Sequence, residues 1–158
     1  MTLRMDYEAA APAAIRALGG VYGYIGQSGL PKALVDLVYL RVSQINGCAY
    51  CIDMHSRELT HGGLRPEKLV LVPVWREAGD LFDDREKAAL ALAETVTRVA
   101  ETGVPQGDYA AAAAQFGEKE LTDLTVAIGL MNAYNRLAIS FRRPPAAAET
   151  ASACPTNI

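Results

Sequence analysis

This sequence contains no apolar run long enough to cross a membrane. Even counting glycine, its longest, residues 17–26, is half of the roughly twenty residues a spanning helix needs. An excess of positive charge is missing too. Fifteen lysines and arginines face eighteen acidic residues, leaving a net charge of −3. With no basic stripe to neutralise phosphates, nucleic acid is not an expected partner. Nothing at the N-terminus looks like a secretory leader, because Arg4, Asp6, Glu8 and Arg16 interrupt any apolar stretch there. The chain therefore reads as soluble and cytoplasmic. Cysteine is scarce: three in 158 residues cannot build a disulfide framework in a reducing compartment. Two of them, Cys48 and Cys51, lie three residues apart, and such a pair points to metal binding or catalysis rather than to architecture. The third, Cys154, is read as incidental.

What is present is helical signal, over nearly all of residues 6–143. An alanine-rich stretch, residues 6–27, predicts a first helix weakened in its second half by glycines. Pro31 suits the first turn of the next, residues 32–45, which only Lys32, Asp36, Arg41, Ser43 and Gln44 keep from being apolar on every side and which is read as a buried central helix. Its valines leave a strand open, although fourteen residues is long for one. Asn46-Gly47 breaks the chain, and a third helix is expected from Cys48 to His61. Pro66 opens a short fourth helix. Asp83 or Asp84 can cap a fifth, with Ala89, Leu92, Val96 and Val99 at three-four spacing until Gly103 and Pro105 stop it. Asp108 can cap a short alanine helix, and residues 119–141 form the last, with Leu121, Leu124, Ile128 and Met131 on a stripe that continues through polar Asn135 to Ala138. The expectation is one all-α domain, residues 1–143. Residues 144–158, rich in Pro, Ala, Ser and Thr, are read as a flexible tail.

The chemistry lies at Cys48, Cys51 and His55. On an α-helix turning about 100° per residue, Cys51 falls roughly 300° and His55 roughly 700° round from Cys48, so all three share one side. Thiol peroxide chemistry needs such a set: a thiolate to attack, a second thiol within disulfide reach, and a base. A helix N-terminus also favours thiolate over thiol. The plain alternative is that both cysteines are small buried hydrophobes and His55 an ordinary surface histidine. A zinc reading that adds His61 fails, since His61 lies roughly 220° round and faces away. Asp36 is the other candidate. As a lone acid in an apolar helix it is either a buried partner for the histidine or an exposed acid near the helix start.

The segment from Asp36 to His55, with its Asn-Gly-Cys-Ala-Tyr-Cys-Ile-Asp-Met-His string, resembles the AhpD-like alkylhydroperoxidases of the carboxymuconolactone decarboxylase superfamily. The stretches from Arg85 to Glu94, Leu121 to Ile128 and Asn132 to Arg136 look similar too. The resemblance implies an all-α, AhpD-like helical bundle in which the Cys-x-x-Cys pair begins a central helix. It also implies trimers or hexamers, a hydroperoxide substrate, and an external dithiol or lipoyl-type reductant, with no cofactor or metal. Carried over by position, Cys51 is the peroxidatic nucleophile, Cys48 the resolving thiol, and His55 the relay histidine. Asp36 stands where the family has a relay glutamate, one methylene shorter. Tyr50 stands where well-studied members have a histidine. Tyrosine is no base near neutral pH, its ordinary pKa being about 10.

Overall fold

The protein is described from a computed structural model that covers residues 2–148. Among the described residues every regular element is helical, and no helix is long and apolar enough to cross a membrane. Of the expected tail, residues 144–148 are described, with the Ala147 N–H donating to Asp53 Oδ2 over 3.1 Å. Cys154 and the other residues of 149–158 lie outside the described residues.

The first expected helix is in fact two. Helix α1 (Tyr7–Ala10) is capped by Asp6, and Ala11 breaks away before Pro12 opens α2 (Pro12–Ile25). Proline lacks an N–H, so it starts a helix well and continues one badly. Helix α3 (Lys32–Asn46) is the predicted buried helix. Its valines did not make it a strand, because it packs against helices on several sides. Val35, Val38, Tyr39 and Val42 face one apolar cluster, while Leu37 and Leu40 face a second, with Trp75 and Phe82. A helix serving two cores has little room for a polar face.

Helix α4 (Ala49–His61) follows after only two residues. Gly47 adopts the left-handed conformation (φ 71°) that glycine takes without a Cβ penalty. The Gly47 N–H donates to the Gln44 carbonyl over 3.3 Å and the Cys48 N–H to the Ser43 carbonyl over 2.9 Å. This paired closure ends α3 and delivers Cys48 to the start of α4.

Helix α5 (Pro66–Leu71) runs into short 3₁₀ turns (Val72–Glu77 and Gly79–Leu81). Asp83, not Asp84, caps α6 (Asp84–Thr97), in a capping box with Glu86. That helix stops at Arg98, and a single turn, α7 (Val99–Thr102), leads to Gly103. Val99, expected on the apolar stripe of one continuous helix, is therefore 55% exposed. Helix α8 (Gln106–Gln115) begins three residues earlier than expected, so Asp108 lies in its first turn and Pro105 takes the cap position. Helix α9 (Glu118–Phe141) closes the bundle. Helix α3 packs against α4, α6 and α9, and this places the start of α4 near the centre of the molecule.

Candidate active site

Cys48 and Cys51 are joined as a disulfide, with their Cα atoms 5.4 Å apart. The helical-wheel expectation is corrected in one respect. Cys48 is not in the helix but caps it, with an extended backbone (φ −83°, ψ 94°). Its Sγ accepts the Cys51 N–H over 3.3 Å. The sulfurs meet because the cap turns Cys48 back over the first turn. Both cysteines are almost wholly buried, at 1% and 2% exposure. They differ in access: Cys51 lines a cavity of about 320 Å³, and Cys48 is not among its lining residues. Tyr22, Tyr50, Tyr134, Met54 and Met131 also line it, so the wall beside the sulfur is mostly aromatic and thioether. Arg143 lies over the Tyr50 ring at 4.4 Å and ion-pairs with Glu8.

Asn46 supports this turn through contacts that local sequence could not reveal. Its Nδ2 donates to Asn132 Oδ1 over 3.0 Å and to Asn135 Oδ1 over 2.9 Å. Asn135 Nδ2 in turn donates to Ser43 Oγ over 3.0 Å. The polar interruption in the apolar stripe of α9 is thus a buried amide, fully satisfied, that ties the end of α3 to α9. Buried polar groups persist only when so bonded.

His55 is fully buried, in contact with the Tyr39 ring at 5.2 Å between centroids. Its Nδ1 lies 3.2 Å from Glu58 Oε2, and its Nε2 has no hydrogen-bond partner among the described residues. Burial pulls its pKa down from 6.5 to about 4, with the Asp36 charge opposing and Lys32 assisting. The imidazole is therefore neutral at pH 7.

Asp36 is buried (4% exposed), the first of its two sequence readings. It accepts from Lys32 Nζ at 2.5 Å. Burial raises its pKa, and the Lys32 hydrogen bond opposes that shift. Asp36, His55 and Glu58 are the described residues whose donor atoms approach closely enough to hold a metal ion, all within 4.8 Å of one another. A cation already bridges the two carboxylates, for Lys32 Nζ is also 3.8 Å from Glu58 Oε2. Asp36 thus comes close to His55 without bonding it. The residue that does bond it, Glu58, escaped the sequence reading. Its signal was available: Glu58 lies three residues after His55 and seven after Cys51, on the same helical stripe. His61 lines a different cavity, with Asp36 and Glu58, and not the one at Cys51.

Residues 9–95 match the model of the carboxymuconolactone decarboxylase family. The chain belongs to that family. The uncharacterized protein YdfG of Bacillus subtilis is 32% identical over 140 residues, which cover 89% of this chain and 95% of YdfG. The Agrobacterium tumefaciens protein ATU0492, of unknown function and described as an AhpD-type antioxidant defence protein, superposes with a TM-score of 0.88. It is 39% identical, over 91% of this chain and 98% of that one. An alkyl hydroperoxide reductase AhpD of Methylocella silvestris is 47% identical over 45 residues, 28% of this chain and a quarter (25%) of its own length. This carboxymuconolactone decarboxylase family member is therefore AhpD-like in sequence and in fold. The debrominase Bmp8 shares the fold alone, at 18% identity and a TM-score of 0.74 over 87% of this chain and 73% of its own. The relative named for an activity, the alkyl hydroperoxide reductase AhpD, is an enzyme.

Proposed function

We propose that this protein is a thiol-dependent peroxidase that reduces organic hydroperoxides through a Cys48/Cys51 dithiol–disulfide cycle. The observation that carries this reading is the combination at Cys51: a sulfur in disulfide reach of a second, facing a cavity, with a neutral buried histidine one turn on. In the reduced protein His55 takes the Cys51 thiol proton. The thiolate attacks the distal peroxide oxygen, forming the S–O bond as O–O breaks, and the alkoxide collects the proton from the imidazolium and leaves as an alcohol. Cys51 is then a sulfenic acid. Cys48 attacks it, the S–S bond forms, and water departs. An external dithiol, of the lipoyl kind or on a thioredoxin-like partner, returns both thiols by exchange. Asp36 adds its charge, which favours the imidazolium.

The assignment of Cys51 as the nucleophile weighs two effects against each other. A sulfur at the N-cap accepts a backbone N–H and gains most from the helix dipole, which favours the thiolate at Cys48. Access favours Cys51. A thiolate that no peroxide reaches does no chemistry, so access decides.

Substrate size follows from the cavity. Since a cavity needs only ~10–15 Å³ to hold one water, 320 Å³ is far more than hydrogen peroxide fills, and it suits a small organic molecule. Steady-state consumption with a dithiol reductant tests the reading. An aromatic hydroperoxide should be turned over with a kcat/KM about tenfold or more above that of hydrogen peroxide, through apolar burial against Tyr and Met. Turnover of a small disulfide with none of any peroxide would replace the reading by thiol–disulfide exchange. Assembly of this chain with copies of itself, which the family resemblance implies, is part of the same proposal.

A further inference from the structure

The α4 stripe carries more chemistry than the two cysteines and the histidine. Cys51, His55 and Glu58 follow one another at four- and three-residue spacing, so their side chains succeed one another along one side of the helix. His55 is fully buried and, among the described residues, makes one hydrogen bond, from Nδ1 to Glu58 Oε2 at 3.2 Å. A carboxylate only accepts hydrogen bonds, so the proton of the neutral ring sits on Nδ1. Nε2 then carries the lone pair, and it is the nitrogen left without a partner among the described residues. A buried nitrogen without a bond costs stability, and such costs gather where chemistry needs them.

The other carboxylate is committed elsewhere. Asp36 accepts from Lys32 Nζ at 2.5 Å, one turn away on α3. The Asp36–Lys32–Glu58 set lines a cavity of about 680 Å³ that shares no lining residue with the cavity at Cys51. His55 lines neither and joins them through the helix, with Cys51 on one side and Glu58 on the other. The Glu58 side chain is 33% exposed, against 5% for Asp36.

We propose that Glu58, and not Asp36, is the carboxylate that positions His55 for Cys51, making Cys51–His55–Glu58 the proton relay of this chain. Glu58 is a positioning residue: it fixes the Nδ1–H tautomer, aims the Nε2 lone pair, and flanks the imidazolium formed when the Cys51 proton arrives. Lys32 holds Asp36 aside. The proposal rests on the reading of Cys51 as the attacking thiol, and its consequences are visible in thiol reactivity without any peroxide.

The charged and titratable groups that face His55 are Glu58 on its own helix and Lys32, Asp36 and Tyr39 on α3. Two measurements on the full chain isolate Glu58 among them. The first is the ¹⁵N spectrum of the His55 ring in the parent protein at pH 7. It should show a protonated Nδ1 and a bare Nε2; a protonated Nε2 overturns the proposal, with no variant required to fold.

The second is the rate of Cys51 alkylation against pH, in the reduced protein carrying Cys48→Ser and Cys154→Ser. Glu58→Gln should slow alkylation at pH 7 about tenfold, as expected for loss of a supporting group in general-base catalysis, and move the profile to higher pH. Asp36→Asn should slow it less than threefold, on the order of the effect of an indirect charge. A Glu58→Gln rate within about twofold of the parent, or an Asp36→Asn effect as large as that of Glu58→Gln, overturns the proposal. If hydroperoxide turnover is absent while alkylation still depends on Glu58, the relay stands and the peroxidase reading falls.

Discussion

Cys51→Ser is expected to lower hydroperoxide turnover by roughly 10³-fold or more, to the level of buffer and reductant alone. Serine fills nearly the same volume as cysteine, so the buried site should stay packed and the loss should be chemical. Cys48→Ser is the informative contrast. Serine is among the best helix caps, so this substitution keeps or strengthens the cap that Cys48 now supplies. With Cys51 intact, the variant should still consume about one equivalent of hydroperoxide in a rapid first phase. Its steady state should then be about tenfold slower or worse, because the external dithiol must attack the sulfenic acid directly. The reverse pattern, a burst that survives Cys51→Ser and vanishes with Cys48→Ser, would mean that the cap's stabilisation of thiolate outweighs the cavity's access. The roles would then be exchanged.

Acidification from pH 7.5 to 5 should cost the parent about 2 kcal/mol of folding stability more than it costs His55→Gln. The sign follows from where protons bind. An unfolded chain protonates this histidine near pH 6.5, while the folded chain refuses the proton until about pH 4. The contribution is therefore fully present above pH 6.5 and is lost as pH falls toward 4. Over the stated interval the unfolded state gains about 2 kcal/mol relative to the folded one. Asp36 acts in the opposite direction, since its raised pKa makes the folded chain the better proton acceptor near and below its own titration. Comparing the parent with His55→Gln removes that contribution, because both proteins carry Asp36. Urea denaturation at the two pH values gives the result. Parallel losses in the two proteins would mean that His55 is not held neutral by burial.

Much of this site was legible without coordinates because it is local. Cys48, Cys51 and His55 lie within eight residues, and Asn46-Gly47 announced the turn that sets them at a helix start. The apolar character of residues 32–45 on almost every side announced a buried central helix. What stayed hidden depends on partners from elsewhere. Asn135 showed only as a gap in an apolar stripe; its purpose appears when α9 packs on α3 and the amide meets Asn46 and Ser43. Lys32 counted as a polar interruption until Asp36, one turn on, proved to be its partner. Two errors were of a different kind. Cys48 was placed inside the helix although a residue just after a left-handed glycine falls naturally at the cap. Glu58 continues the same stripe but lies three residues beyond His55, where the family motif ends, so the motif does not point to it.

The most direct test is a single-turnover count. Fully reduced protein receives one equivalent of an aromatic hydroperoxide, and thiols, alcohol product and cross-linked peptides are then quantified. Two thiols should disappear per alcohol formed, and the oxidised peptide should carry a bond between residues 48 and 51. Unreacted peroxide with both thiols intact would contradict the account.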